Sequence, residues 1–263
     1  MLVHPKPFVV GFIAQYLLFP AVCFLLVRLT DAPPSLALGV LLVAACPAGN
    51  MSNFLTHLGR GTTSLSISMT ALSTLAAPVM MPLVFGFWAS RVPGASGLWH
   101  GDLRLDPIGL VGTMLVILGI PLALGLTVSM RWSALAARAA RPFRIFSLVV
   151  FVAFIAIALV ANGRQFLLSV PKIGTLVALQ NAAALGGGYL LARLSGLAEA
   201  DRRAIGFEIG IRNAGLGLAL VLAFFGGIGG MAVATGWYGV WDLIVGFGLA
   251  TWWRRRPPLP APA

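Results

Sequence analysis

A glutamate and an arginine stand four residues apart in FEIGIRNAGLGLAL, Phe207 to Leu220, inside a run that otherwise has the composition of a membrane helix. An ionised side chain at the centre of a bilayer costs about 2.5–3.5 kcal/mol on insertion scales, so Glu208 points to a pathway, a partner or an ion rather than to packing. Other polar side chains also interrupt apolar runs. Gln15 is alone in the first run, and Asn50, Ser52 and Asn53 follow the sequence CPAG. Ser66 and Thr70 share a helix face at i and i+4, Asn213 follows Arg212, and Asp242 lies near the middle of the last run. Carboxylate, amide and hydroxyl oxygens, with carbonyls freed where a helix is interrupted, are what a hard cation such as sodium coordinates. Each has a plainer reading alone: Ser66 and Thr70 bonding back to their own helix, Gln15 bridging two helices.

The surrounding composition sets the class. Of 263 residues, 59% are hydrophobic and only 10% charged, against about 45–50% and about 25% in soluble domains. This predicts an all-α integral membrane protein in a lipid bilayer. The formal charge of +11 does not indicate nucleic acid, because the basic residues sit between apolar runs, where they act as topology signals. Cys23 and Cys46 both lie within apolar runs and read as small buried residues. The chain opens on MLVHPKPF, without a recognisable cleavable signal.

Eight apolar runs are long enough to cross a bilayer: Phe8 to Leu29, Ser35 to Leu58, Thr62 to Ala89, Pro107 to Met130, Ile145 to Asn162, Ile173 to Ser195, Arg202 to Phe225 and Ile228 to Trp252. Short connectors such as RVPGASGLWHGD and SVPK separate them. The stretch Arg131 to Arg144 reads as a positive loop, with an interfacial amphipathic helix as the alternative. With the N-terminus inside, 12 Lys and Arg fall on the inner side and 5 on the outer, with Arg212 left over within a span. That asymmetry predicts a multi-pass protein of the cell (inner) membrane with both termini cytoplasmic.

Two of the runs carry breakers at similar depth, Pro47 and Gly49 in one, Gly210, Asn213 and Gly215 in the other. Interrupted helices at corresponding places in two halves are the sequence signature of an inverted-repeat transporter, whose unwound segments cross at the midplane. The expected organisation is one transmembrane domain over 1–253. Residues 1–90 form an incomplete first repeat and 107–253 the second, followed by a disordered, basic, Pro-rich tail over 254–263.

The segments HPKPFVVGFIAQYLLFP, ACPAGNMSNFLTHLGRGTTSLSISMTALSTLAAP and FEIGIRNAGL resemble those of the bile acid/sodium symporter family, from about His4 to Trp252. The resemblance implies a ten-helix inverted-repeat fold with a crossing pair of broken helices, of which about eight are present here and the family's first two are missing. It implies sodium-coupled symport of an organic anion, bile-acid-like or a small carboxylate. One sodium site would use Ser52, Asn53, Ser66, Thr70 and Glu208. A second would use Gln15, Glu208, backbone carbonyls near Ile209 and Ile211, and the side chain at 212. Substrate would bind near Asn213, Arg212 and Asp242.

Two positions depart from the family pattern. Position 212 is normally Gln, and guanidinium has no acceptor atom with which to ligate sodium. Arg212 would then act as a tethered cation that replaces one of two sodium ions, or else would pair with substrate. Asp242 stands where a bacterial member has His. The charges of Glu208, Arg212 and Asp242 sum to −1, which one sodium or a proton on Asp242 would neutralise. A membrane enzyme is disfavoured because His4, His57 and His100 occupy end or loop positions without metal-ligand spacing. A non-transporting fragment or partner subunit is the other alternative. The oligomeric state is left open.

Overall fold

The computed structural model describes residues 5–95, 116, 119–226 and 228–258, and these are all-helical, without strands. Among the described residues, four helices are long and apolar enough to cross a membrane: Pro5–Leu29 (α1), Thr63–Ala89 (α4), the part Ile173–Leu194 of α6, and Gly229–Arg254 (α9). Two interrupted pairs lie among them. Pro34–Ala45 (α2) is separated from Asn50–Leu58 (α3) by residues 46–49, and Glu199–Gly210 (α7) from Ala214–Phe224 (α8) by residues 211–213. Both breaks fall where Pro and Gly punctuate the sequence.

α1 is not uniform. Its middle, Ala14–Leu18, is a π-turn in which the Phe19 N–H reaches back to the Ala14 carbonyl. Pro20 supplies the cause, since it has no N–H to give Tyr16 in an α pattern. The distortion carries Gln15 and Tyr16, both buried. α4 continues through Pro78 and Pro82, as membrane helices do when neighbours satisfy the freed groups.

The run Ile145 to Asn162 and the run Ile173 to Ser195 are not separate elements. After Ile120–Arg131 (α5), one helix, Ser133–Leu194 (α6), takes in both runs and the SVPK connector between them. Its 62 residues give a length of about 93 Å, three times a bilayer core. Pro171 does not end it. The loop reading of Arg131 to Arg144 is corrected as well, because this segment is helical apart from Trp132; its Ala-, Leu- and Arg-rich sequence has high helix propensity. The part of the expected run Pro107 to Met130 that precedes α5 lies outside the described residues, apart from 116 and 119.

α9 is the centre of the packing, against α2, α6, α8 and α3. Its seam with α2 is built from small residues: a Cβ on Gly39 would come within 2.8 Å of Ala234 Cβ, and one on Gly230 within 2.3 Å of Ser35 Oγ. Ser35 and Gly39 on one helix thus face Gly230 and Ala234 on the other, a small-xxx-small contact that lets backbones approach. At the opposite end α7 is tied down by Arg203. Its guanidinium donates to the carbonyls of Gly59 at 3.0 Å, Trp253 at 3.2 Å and Arg256 at 2.9 Å. Arg256, expected in a disordered tail, is therefore held.

Candidate functional site

The two breaks meet. Gly49 N–H donates to Ile211 O at 3.1 Å and Asn213 N–H to Pro47 O at 3.0 Å, pairing Ala48 with Arg212 as an isolated antiparallel bridge. The extended segments satisfy one another's backbone groups, which lipid could not do. Other groups close the remaining gaps. Gly210 O accepts from Asn181 Nδ2 at 2.8 Å and Tyr238 Oη at 2.9 Å. Asn213 Oδ1 accepts from Leu216 N at 3.0 Å and so caps α8.

Beside this crossing lies a cluster of oxygens around Glu208, which is fully buried. Glu208 Oε1 lies 2.5 Å from both Ser52 Oγ and Ser66 Oγ and 2.9 Å from Thr70 Oγ1; Oε2 lies 3.0 Å from Thr70 Oγ1. Asn53 Oδ1 is 2.8 Å from Ser66 Oγ and 3.2 Å from Thr70 Oγ1. Ser52 and Asn53 come from the first turn of α3, Ser66 and Thr70 from one face of α4, and Glu208 from the last turn of α7. Two consecutive helices, α3 and α4, and the distant α7 thus bring together all five residues of the first expected site. Their side-chain oxygens suit a hard monovalent cation, because hydroxyls can turn lone pairs towards an ion. Among the described residues no three His, Cys, Asp or Glu side chains gather as a metal site would need.

The second expected set is not assembled in the same way. The Arg212 guanidinium, 4% exposed, donates through Nη1 to Cys46 O at 3.0 Å and lies 4.8 Å over the Phe19 ring. Its Nε and Nη2 have no partner, and neither amide atom of buried Gln15 has one. Ile211 O is engaged by Gly49 N–H, while Ile209 lies within α7 with its side chain buried. The expected proximity of Arg212 to Asp242 is real but of another kind: Asp242 Oδ2 accepts from the Arg212 backbone N–H at 3.1 Å. Neither Glu208 nor Asp242 forms a salt bridge with the guanidinium. Asn213 is exposed, with its side chain committed to the cap.

Several participants were not singled out from the sequence. Thr56 is fully buried, one turn after Ser52, and its hydroxyl donates to Ser66 Oγ at 3.3 Å. Asn181 and Tyr238 hold the end of α7. The i, i+4 spacing from Ser52 to Thr56 was a usable signal, as was the pair Gln180–Asn181 in the middle of an apolar run.

The profile of the Sodium Bile acid symporter family matches residues 1–169. The uncharacterized sodium-dependent transporter YocS of Bacillus subtilis is 33% identical over 252 residues, covering 96% of this chain and 75% of that protein. The probable sodium/metabolite cotransporter BASS1, chloroplastic, of Arabidopsis thaliana is 29% identical, covering 97% of this chain and 61% of its own length. The human ileal sodium/bile acid cotransporter is 29% identical over 84% of this chain and 62% of its own. The chain thus spans three quarters of the bacterial relative and about three fifths of the other two. With the family profile matched over more than half its length, the chain belongs to the sodium bile acid symporter family.

Proposed function

We propose that this chain is a secondary active transporter that couples sodium to the movement of a small organic anion. The observation that carries the reading is the buried oxygen cluster of Ser52, Asn53, Ser66, Thr70 and Glu208 at the crossing of two broken helices. Sodium entering there would replace the hydroxyl protons that now face Glu208, and the carboxylate would carry its counter-charge. Family membership supports sodium coupling, since the relatives are named as sodium-dependent transporters and cotransporters.

One ion is coupled rather than two in this reading. Arg212 supplies a fixed positive charge where Gln15, Ile209 and Ile211 would otherwise contribute to a second site. Glu208, Arg212 and Asp242 then sum to −1, and one sodium neutralises them; a proton on Asp242 is the other way to reach neutrality. The substrate, bile-acid-like or a small carboxylate, binds on the exposed side of the crossing at Asn213, with Arg212 and Asp242 behind it. The architecture proposed is two inverted units, 1–90 and 107–253, built from the eight expected runs, two of which are joined in the continuous helix α6, rocking about the crossing. What supports it is the antiparallel pairing of the two breaks. The orientation proposed, both termini cytoplasmic in the cell membrane, is supported by the Lys and Arg asymmetry.

Uptake of radiolabelled organic anions into reconstituted vesicles tests the reading. An inward sodium gradient is expected to drive accumulation in the wild type and not in Glu208→Gln. Uptake indifferent to sodium would overturn it.

A further inference from the structure

A cavity of about 590 Å³ opens at the N-terminal ends of α1 and α4, lined among others by Lys6, Thr62, Ser64, Leu197 and Asp201. It does not reach Glu208. Asp201 is half-buried and its Oδ1 accepts from Thr62 Oγ1 at 2.6 Å. Two stripes run inward from this pair. On α4, Thr62 at the N-cap, Ser66 and Thr70 follow at i, i+4 and i+8; on α7, Asp201 and Glu208 follow at i and i+7, about 10 Å apart along the axis. Two of the three helices that carry the oxygen cluster thus also place a carboxylate and a hydroxyl at the mouth of the cavity.

Between the two levels α3 and its connection to α4 contribute small and polar groups. Thr56 bridges to the cluster through Ser66. Gly61 packs so closely that an added Cβ would meet Thr56 Cγ2 at 2.9 Å and both Ala200 O and Ala204 N at 3.2 Å. The loop is stitched to α7 by Thr62 N–H to Ala200 O at 3.0 Å and by Arg203 Nη1 to Gly59 O at 3.0 Å. The backbone of the α3–α4 connection lies against α7 here, and Asp201 holds that connection's last residue, Thr62.

We propose that Asp201 and Thr62 form an inner transit site through which the cation held at Glu208 exchanges with the cavity. A sodium ion arriving there takes the Asp201 carboxylate in place of the Thr62 hydroxyl, and that exchange removes one of the three bonds that hold the Gly59–Thr62 connection to α7. Lys6 lines the same cavity but is exposed, so its charge is screened by water more than that of half-buried Asp201. The inference rests on reading the Glu208 cluster as the sodium site.

Equilibrium binding and exchange of radioactive sodium on the full chain in proteoliposomes separate the two ideas. Asp201→Asn keeps an acceptor for Thr62 and removes only the charge. It is expected to bind sodium as the wild type does but to exchange it about five-fold more slowly, whereas Glu208→Gln loses binding altogether. Thr62→Val, which leaves the carboxylate unencumbered, is expected to exchange at least as fast as the wild type. Should Asp201→Asn fail to fold, Asp201→Cys offers the same test, since the two native cysteines are buried. A sulfonate-bearing thiol reagent is expected to restore exchange there and an ammonium-bearing one to slow it. Wild-type exchange in Asp201→Asn with binding lost in Glu208→Gln overturns the transit site alone; normal binding in Glu208→Gln overturns the sodium site beneath it.

Discussion

Arg212 gives its guanidinium to the Cys46 carbonyl, at 3.0 Å, and not to a carboxylate. Cys46 directly follows the last turn of α2, where unpaired carbonyls and the negative end of the helix dipole favour a cation. The Phe19 ring beneath the guanidinium adds a second, quadrupolar attraction. A buried positive charge is thereby placed at the crossing without an ion pair to Glu208.

Replacing Arg212 with Gln removes that fixed charge and restores an oxygen donor. Sodium dependence of uptake in vesicles is expected to move from a Hill coefficient near one to a value approaching two. A coefficient near two in the wild type would end the tethered-cation reading.

Ser66 touches Glu208 and Asn53 and accepts from Thr56, so its hydroxyl links three side chains of the cluster. Ser66→Ala is expected to raise the half-saturating sodium concentration about ten-fold, in line with roughly 1.5–3 kcal/mol for a hydrogen bond to a charged group. Sodium titration of uptake, or of thermal stability, would measure it.

Asp242 acts on the backbone of the break, through the Arg212 N–H. Asn can accept the same bond, whereas Leu would leave a buried N–H unpaired at a cost of about 1–3 kcal/mol. Asp242→Asn is expected to melt close to the wild type in detergent and Asp242→Leu clearly below it. Uptake by Asp242→Asn across a pH series also tests a proton role, which a flattened profile would support.

The α2–α9 seam has no room at Gly39, where a Cβ would also lie 2.9 Å from Met231 Cα. Gly39→Val is expected to lower stability by about 1–3 kcal/mol through overpacking. Gly248 on α9 has nothing within 4 Å of an added Cβ, and Gly248→Ala serves as the matched control in the same melting assay.

Legibility followed the range of each interaction. Apolar run length showed the membrane class, and Pro47, Gly49 and Gly210 marked both interruptions, because breakers act on the residues beside them. Glu208 stood out because a carboxylate in an apolar run has a large cost attached to it. The continuity of α6 through the SVPK connector was not legible, since a proline in a membrane helix is compatible with either outcome. Thr56 was passed over because a single hydroxyl near a helix end carries no cost that demands explanation.

By itself the sequence determined which side chains are too polar for their surroundings and where the helices must open. Only the tertiary structure decided their partners: Ser52, Asn53, Ser66 and Thr70 around Glu208, Cys46 O for the Arg212 side chain, and Asp242 for its backbone. The reason is geometric. Spacing along one helix specifies which residues share a face, but a carboxylate on α7 finds hydroxyls on α3 and α4 only when the two interruptions cross. That crossing is made by main-chain hydrogen bonds between residues 47–49 and 211–213, which no side-chain pattern encodes.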